Sequence, residues 1–192
     1  MRQIRLERNT AFVTRVHVNN IYDFPFSWNA DYLPQKQMVD TWSLTTDALE
    51  YSFTLRDGLT FHDGSPVLAE DVVASIDRWS TSVSTPSTIY GLVNPTVTTV
   101  DDKTFKVNPE TPFGLWVSYW GESPTFVMPK EVADALEFED INDNMMGSGP
   151  FKFVEWRPGS GVTMERYEGY VPRSEPRSGA SGSRISYVDG IE

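Results

Sequence analysis

Hydrophobic and polar positions alternate in three pairs of segments, and each pair predicts a β-hairpin with one buried face. The pairs are "MVDTWSL" with "LEYSFTLR", "TVTTV" with "TFKV", and "PFKFVEW" with "GVTMERYE". In the first pair "TTDA" supplies the turn, and Leu49, Tyr51, Phe53 and Leu55 lie on one face of the second strand. Antiparallel strands are therefore expected to form much of the fold.

A different period marks the helices, where apolar residues recur every three or four positions. The segment "AEDVVASIDRWS" places Val72, Val73, Ile76 and Trp79 on one stripe. Two carboxylates occupy its first turn, where the helix dipole favours negative charge. Shorter helices are predicted over residues 11–22, over "PFGLWVSYWG" and over "PKEVADAL", which has a proline at its start.

Segments rich in Pro, Gly, Ser, Thr and Asn separate these elements and predict loops or irregular structure. They are "DFPFSWNADYLP", the Ser/Thr/Pro segment at residues 80–88, and "VPRSEPRSGASGSR" after the third hairpin. The final "ISYVDGIE" predicts a strand that is still running at residue 192. We therefore expect the chain to be a fragment, cut within a strand of a longer protein.

Composition and charge restrict the possible functions. The chain has 192 residues, of which 39% are hydrophobic and 13% aromatic, enough for a packed core in one domain or slightly more. Its net charge of −11 opposes binding to nucleic acid and to anionic membranes. The lack of cysteine excludes disulfides, zinc–thiolate sites and cysteine catalysis. No segment approaches the ~18 apolar residues of a membrane span, and the first 20 residues are too charged for a signal-peptide core.

The two histidines, His17 and His62, are the first candidates for chemistry. His62 and Asp63 could act as a general base and its orienting group in a hydrolase. Adjacent residues in an extended turn point to different sides, however, and the sequence specifies no nucleophile nearby. An Asp63-Gly64 turn whose side chains bond the local backbone is the preferred interpretation. A metal site is not expected, because the histidines are far apart and no ligand spacing such as HxxxH is present.

Two further features have alternative interpretations. The "GSG" at residues 147–149 leads into a strand, so it is interpreted as the start of a hairpin and not as a phosphate-binding loop. Several aromatic residues fall in or beside the irregular middle of the chain, where they could line a ligand cleft or belong to the core. These aromatic residues are Trp79, Tyr90, Trp116, Tyr119 and Trp120.

Two long motifs add a family resemblance to this reading of the residues. The stretch "YSFTLRDGLTFHDGSPVLAEDVVASIDRW" joins an aromatic-x-Phe-x-Leu-Arg-x-Gly strand end, an Asp-Gly turn and an Ala-Glu-Asp-Val helix start. The stretch "GSGPFKFVEWRPGSGVTMERYEGYV" follows, with Phe151 where tyrosine is usual. Together they cover about residues 35–171 and resemble family 5 of the extracellular solute-binding proteins, the peptide, nickel and opine receptors of ABC importers.

The resemblance implies a mixed α/β and α+β fold in which two lobes close on a ligand. Residues 1–36 are expected to form part of the N-terminal lobe and residues 37–146 an additional, hairpin-rich subdomain with short helices. Residues 147–192 would return to the N-terminal lobe and stop before the C-terminal lobe. A fragment that lacks the second lobe is expected to bind its solute weakly.

The resemblance also implies where and with what the protein interacts. It places the ligand at the loop before the first helix, at Ala11, Phe12 and Thr14, and at the middle segment around Tyr90. Trp116 and Trp120 are added for their aromatic character alone. The expected partners are a small solute or peptide and a membrane permease, in the periplasm, with no cofactor, metal, nucleic acid or enzymatic activity. The alternatives are a structural or partner-docking module without a pocket, and a hydrolase that uses His62.

Overall fold

The chain folds into short helices and antiparallel sheets in a computed structural model, which describes residues 12–82, 84–122, 125–135, 145–157 and 160–192. The helices are α1 (Phe12–Ile21), α2 (Ala69–Ser82), α3 (Ser84–Val93), α4 (Trp116–Glu122) and α5 (Lys130–Ala133). The strands are β1 (Phe26–Trp28), β2 (Pro34–Lys36), β3 (Val39–Leu44), β4 (Tyr51–Leu55), β5 (Thr96–Thr99), β6 (Thr104–Asn108), β7 (Phe151–Arg157), β8 (Gly161–Arg166) and β9 (Gly190–Ile191). This mixture of helices and antiparallel sheets confirms the predicted fold class. Within those residues, no helix is both long and apolar enough to cross a membrane.

The largest sheet has four strands in the order β3-β4-β6-β5, built from the first two predicted hairpins. Tyr51, Phe53 and Leu55 of β4 are buried, as the alternation predicts. Because β4 pairs with both β3 and β6, Phe53 lies opposite Trp42 on one side and Phe105 on the other. An aromatic row therefore crosses the sheet from its β3 edge.

Helix α2 packs against β5 and β6 through the predicted stripe. Val72, Ile76 and Trp79 are buried, and Val73 is partly buried against the same core. Asp71, in the acidic first turn, accepts backbone N–H bonds from Leu68 and Lys130 at 2.8 Å each. This carboxylate thus closes the N-terminus of α2 and joins it to the start of α5.

A short hairpin forms where the sequence predicted a loop over residues 23–34. β1 and β2 pair antiparallel, with Trp28 opposite Pro34. The Asn29 side chain closes the turn, because its Oδ1 accepts N–H bonds from Asp31 and Leu33. The prediction is wrong at these residues because a two-stranded ribbon consists of edge strands, and edge strands tolerate proline.

A helix also forms where an irregular segment was predicted. α3 begins at Ser84, which places Pro86 in its first turn. Proline is tolerated there, because the N–H groups of the first helical turn have no partner within the helix. A proline in a Ser/Thr-rich stretch therefore misled the prediction for residues 80–88.

Two predicted elements are shorter than their sequence patterns. The strand predicted over residues 185–192 is limited to Gly190–Ile191, which pairs with β8. The helix predicted over residues 129–136 is observed as Lys130–Ala133, with Pro129 at its N-cap. Residue 136, the last of that predicted helix, lies outside the described residues. The same is true of residues 158–159, where the turn of the third hairpin was predicted.

Buried side chains form two separate cores. The first lies between the four-stranded sheet, α2, α3 and α4, and it includes Phe53, Phe105 and Trp120. The second joins α1 to the β7–β8 hairpin and includes Ile21 and Phe151. Segments on both sides of the four-stranded sheet in the sequence therefore come together in the second core.

Two glycines allow the third hairpin to approach the end of α1. A Cβ atom on Gly147 would lie 2.0 Å from the carbonyl oxygen of Ile21, and Gly149 is almost as close. The backbone N–H of Gly149 donates to that carbonyl at 2.8 Å. The prediction that "GSG" starts a hairpin is confirmed, and close backbone packing is the physical reason for these glycines.

The long segment after β8 has little regular structure, but buried polar contacts hold it in place. Arg173 donates to the carbonyls of Gln37 and Val39 at 3.1 and 3.0 Å. The Gln37 amide exchanges two hydrogen bonds with the backbone of Gly182. Asp23 accepts a bond from Arg184 at 2.9 Å. We call Asp23, Gln37, Arg173 and Arg184 the polar anchor.

Asp23 is the charged centre of the polar anchor and is fully buried. Besides Arg184, its carboxylate lies 3.8 Å from the Arg56 guanidinium and accepts a bond from the Tyr170 hydroxyl at 3.3 Å. Burial, followed by the negative charge of Asp23, raises the pKa of Tyr170, so the hydroxyl remains protonated and donates. One carboxylate thus organises two arginines and a tyrosine from distant parts of the chain.

Candidate functional site

Three of the six predicted ligand-binding residues meet in one aromatic cluster, which consists of Tyr90, Trp116 and Trp120. Tyr90 of α3 lies edge-on to Trp116 of α4, with ring centroids 5.3 Å apart. Trp116 lies 5.9 Å from Trp120, one turn further along α4. Both tryptophans are at most 1% exposed. The aromatic cluster is therefore part of the first core in this structure.

The polar atoms of the aromatic cluster are hydrogen-bond donors. The Tyr90 hydroxyl and both indole N–H groups are buried, and none forms a hydrogen bond within the described part of the chain. The Trp120 N–H lies near the Tyr90 oxygen but outside hydrogen-bond geometry. Burial, and then the Asp77 carboxylate, raise the pKa of Tyr90, so its hydroxyl stays protonated. Such a cluster is suited to a hydrogen-bond acceptor, such as water, a carbonyl or a carboxylate.

The other three predicted residues were expected in the loop before the first helix, and for two of them this expectation is wrong. Ala11 lies outside the described residues, whereas Phe12 and Thr14 lie in the first turn of the helix. α1 packs against β7 in the second core, and the aromatic cluster belongs to the first core. The structure thus brings Tyr90, Trp116 and Trp120 together and places Phe12 and Thr14 on a different element.

The ring of His62 is enclosed by distant backbone. Its Nδ1 accepts the N–H of Gly147 at 3.4 Å, and its Nε2 lies 3.1 Å from the carbonyl oxygen of Gly149. This pairing fits a neutral ring that carries its proton on Nε2. Burial lowers the pKa of His62 to about 4. Both nitrogens are engaged by the backbone, so the geometry does not provide a general base.

Asp63, next to His62, forms the local turn that the sequence predicts. Asp63 accepts bonds from the backbone N–H and the hydroxyl of Ser65, and Gly64 has a φ of 89°. The local turn is therefore confirmed for Asp63 but wrong for His62, whose contacts lie more than 80 residues away. In the described ranges, no group of three or more His, Asp or Glu side chains is placed to hold a metal ion.

Sequence reasoning missed a cavity of about 360 Å³ beside the C-terminal end of α1. Its polar lining comprises Asn19, Asn20, Arg177, Arg184 and Ser186. Arg184 is fixed in this wall, because it also donates to backbone carbonyls at the end of α1, where the helix dipole favours a cation. The dense basic stretch over residues 166–184 is the one sequence signal that could have indicated this cavity.

Comparison with known proteins gives matches along nearly the whole chain. The sequence model of the bacterial extracellular solute-binding proteins, family 5, matches residues 34–192. A probable peptide ABC transporter periplasmic-binding protein of Sinorhizobium fredii is 39% identical over 184 residues, which cover 95% of this chain and 34% of that protein. A glutathione-binding protein of Pectobacterium atrosepticum is 28% identical over 160 residues, covering 82% and 31%. The chain thus spans about a third of the length of these relatives.

Solved structures also match the fold over most of the chain. The ABC transporter substrate-binding protein CtaP of Listeria monocytogenes has a TM-score of 0.73 and 28% identity, covering 88% of this chain and 36% of that one. The periplasmic binding protein DppA of Helicobacter pylori, in complex with the peptide STSA, has a TM-score of 0.74. It is 21% identical and covers 98% of this chain and 39% of that one, so this likeness concerns the fold alone.

Proposed function

Because the chain belongs to family 5 of the bacterial extracellular solute-binding proteins, we propose that the full-length protein captures a small solute for an ABC-type importer. Oligopeptides are the first class of solute, and opines are the alternative. The observation that carries this proposal is the 39% identity, over 95% of the chain, to a probable peptide ABC transporter periplasmic-binding protein. Such a protein binds its solute between two lobes, and closure of the lobes presents the solute to a permease.

The proposed ligand site combines Ala11 with Phe12 and Thr14 of the first turn of α1, and with the aromatic cluster. The arrangement of the aromatic cluster supports its part in the site. Its buried hydroxyl and indole donors lack acceptors in the described residues, and a peptide carbonyl or carboxylate is an acceptor. A rearrangement of α3 and α4 is required for the ligand to reach these donors, because both tryptophans are buried.

We further propose that residues 1–36 and 147–192 form part of one lobe, with residues 37–146 as an additional subdomain. The two cores support this division. The first core takes nearly all of its buried residues from positions 38–127, whereas α1 and the β7–β8 hairpin share the second. The division is not complete, because Phe26 belongs to the first core. In addition, the second core contains Ala74, Phe126, Met128 and Ala133.

The proposed setting is the periplasm, with a membrane permease as partner. The relative from Sinorhizobium fredii is described as a periplasmic-binding protein, which supports this location. The acidic charge of −11 opposes a role with nucleic acid. The proposed activity is binding without covalent chemistry or a cofactor, and the engaged nitrogens of His62 support this choice over a hydrolase.

The chain of 192 residues on its own is proposed to bind its solute weakly. Ligand pockets normally bury ~70–90% of a small ligand. This chain spans about a third of its relatives' length, so it supplies only part of such a pocket. Calorimetry that finds micromolar affinity for a peptide or an opine with this chain alone contradicts the proposal.

Calorimetry of the full-length protein against a panel of oligopeptides and opines tests the main proposal. At least one solute is expected to bind with micromolar or tighter affinity. In Tyr90→Phe, loss of the hydroxyl donor should weaken that affinity by about tenfold, the effect of one buried hydrogen bond. Tyr187→Phe is the matched control, because Tyr187 is 85% exposed and belongs to neither core. If no peptide or opine binds the wild type, the proposed solute class is wrong.

A second candidate is a packing or docking module without a pocket of its own. The burial of Trp116 and Trp120 favours this candidate, since a ligand cannot reach them as they stand. If Tyr90→Phe leaves solute affinity unchanged while the wild type binds, the aromatic cluster is structural and the second candidate is preferred for this subdomain.

A further inference from the structure

The ring of His62 lies where the first core meets the second. Its neighbour in the sequence, Phe61, is buried in the first core. The backbone that the ring contacts, at Gly147 and Gly149, packs against Ile21 of the second core. Because these contacts join described residues to each other, they do not depend on which surfaces the rest of the full-length protein covers.

Three contacts fasten His62 to this backbone. Its own N–H donates to the carbonyl of Gly147 at 2.9 Å. On the ring, Nδ1 accepts the N–H of Gly147 at 3.4 Å, and Nε2 lies 3.1 Å from the carbonyl oxygen of Gly149. An acceptor at Nδ1 together with a donor at Nε2 requires the neutral ring. The arrangement therefore accepts this histidine in one protonation state only.

Tyr167, which directly follows β8, supports the ring from another side. The rings of Tyr167 and His62 meet edge-on, with centroids 5.2 Å apart. The Tyr167 hydroxyl donates to the carbonyl of Phe61 at 2.7 Å and lies 2.9 Å from the Thr60 hydroxyl. The ring of His62 therefore has little freedom to turn away from the backbone that it binds.

The contacts continue from the His62 ring to the C-terminal end of α1. The N–H of Gly149 donates to the carbonyl of Ile21 at 2.8 Å. A Cβ atom on Gly147 would lie 2.0 Å from the same oxygen, so the two backbones are packed without space between them. Ile21 is the last residue of α1 and is 0% exposed. Because a helix moves as a rigid element, fixing this end also fixes the first turn, which belongs to the proposed ligand site.

We propose that His62 is a positioning residue of the ligand site, which holds α1 at a fixed place relative to the aromatic cluster without touching the solute. This role rests on the proposed function, which divides the site between the first turn of α1 and the aromatic cluster. The aromatic cluster packs in the first core and α1 in the second. A solute that contacts both halves needs them at one separation, because binding groups must be held to within about 0.5 Å.

Protonation of the His62 ring opposes this arrangement. A proton on Nδ1 faces the backbone N–H that this nitrogen accepts, and two donors cannot pair. Burial is the main cause that lowers the pKa of His62 to about 4; Lys152 of β7 also lowers it, and Asp63 raises it. Lys152 is paired with Glu165 at 3.1 Å, the tyrosine beside the ring donates to a backbone carbonyl, and the Gly-Ser-Gly segment carries no charge. The hold on α1 is therefore complete at neutral pH and weakens towards pH 4.

Solute affinity of the full-length protein, measured by calorimetry at pH 7, tests this role. His62→Ala removes both ring contacts and should weaken the affinity about tenfold. His62→Asn keeps an acceptor near Nδ1 and His62→Gln keeps a donor near Nε2, so each should recover part of the loss. Unchanged affinity in His62→Ala overturns the positioning role.

The matched control is Val107→Ala, which leaves a cavity at a fully buried position of β6 and lowers stability without touching the path to α1. Its solute affinity should stay within about twofold of the wild type. If the control loses as much affinity as His62→Ala, lower stability alone explains the loss and the positioning role is wrong.

The pH profile supplies a readout that stability alone does not move. Wild-type affinity should be constant from pH 7 to about pH 5 and fall about twofold at pH 4, where half of the rings carry a second proton. His62→Gln has no titrating ring and should not show this fall. Comparison of the two proteins removes any titration of the solute itself. The same fall in His62→Gln, or no fall in the wild type, overturns the positioning role.

Hydrogen exchange tests the hold on the hairpin without any solute. Mass spectrometry should find the amides of Gly147 and Gly149 protected in the wild type at pH 7 and much less protected in His62→Ala, because the ring no longer fixes this backbone. Equal protection in the two proteins overturns the positioning role. Failure of the proposed function is recognised separately, as a wild type that binds neither a peptide nor an opine at pH 7.

Discussion

The first core and the polar anchor bury their side chains equally well but by opposite interactions. In the first core, Phe53 packs against Phe105 and Trp120, with ring centroids 5.1 and 5.2 Å apart. In the polar anchor, Asp23 and Gln37 are both 0% exposed and bond to groups far along the chain. Burial of rings is non-directional and tolerates a change of similar volume. A buried charge or amide tolerates almost no change, because any unpaired partner remains out of water.

The largest expected effect comes from a cavity in the first core. Phe53→Ala should lower the free energy of unfolding by about 3–5 kcal/mol, because it removes a fully buried ring from a closely packed cluster. Phe53→Leu, which keeps most of the volume, should cost less than about 2 kcal/mol. Chemical denaturation of both variants measures the difference. Equal losses would mean that the ring contacts are directional, and the comparison with the polar anchor would fail.

On the polar side, a change of one atom should be severe. Asp23→Asn keeps the shape but removes the charge shared by Arg184 and Arg56, at an expected cost of about 3 kcal/mol. Asp189→Asn is the matched control, since Asp189 pairs with Arg166 at the surface and is 95% exposed. Denaturation should detect no change in the control. If Asp23→Asn is as well tolerated as Phe53→Leu, the two regions do not differ as described.

The pH dependence of stability examines His62, which belongs to neither region. Its ring links the segment between β4 and α2 to the backbone of Gly147 and Gly149. Burial lowers the pKa of His62 to about 4 from 6.5, so the unfolded chain binds more protons between these values. Stability is fully present above about pH 6.5 and should fall by about 2–3 kcal/mol as the pH drops to about 4. Denaturation of His62→Gln should show this pH dependence reduced by that amount. An unchanged pH profile in the variant would show that His62 titrates normally in the fold.

The smallest expected effect concerns the approach of the third hairpin to α1. Gly147→Ala should cost about 2 kcal/mol, because the added methyl group collides with the carbonyl of Ile21. Gly114→Ala is the control, as no atom lies within 4 Å of its added Cβ. Thermal unfolding distinguishes the two variants. Similar melting temperatures would indicate that this junction adapts as readily as the first core.

Periodicity predicted the elements whose burial is regular along the chain. The buried positions of β4 and the Val72, Ile76 and Trp79 stripe of α2 lie where the alternation and the helical repeat place them. The β1–β2 hairpin and α3 were missed, since each includes a proline that its position makes harmless. A rule based on residue type treats every proline as a break in an element. Whether a proline breaks the element depends on whether the N–H group at that position would have a hydrogen-bond partner in the fold.

The polar anchor and the environment of His62 were beyond prediction for a different reason. Each depends on a side chain that bonds to backbone more than 80 residues away. Because every residue has a backbone carbonyl, the sequence does not indicate which one the side chain will contact. Tyr90, Trp116 and Trp120 do meet in the fold, while their role in ligand binding stays a prediction. The sequence left open whether these rings line a cleft or belong to the core, and it missed α3, which brings Tyr90 against α4.

The clasp between Gln37 and Gly182 has a mechanical consequence. The Gln37 amide holds the Gly182 peptide group at both its N–H and its carbonyl, much as neighbouring strands hold each other. The two residues lie 145 positions apart, and the whole four-stranded sheet falls between them. The clasp therefore closes a loop of the chain that contains the whole four-stranded sheet, and it ties the two ends of that loop to each other.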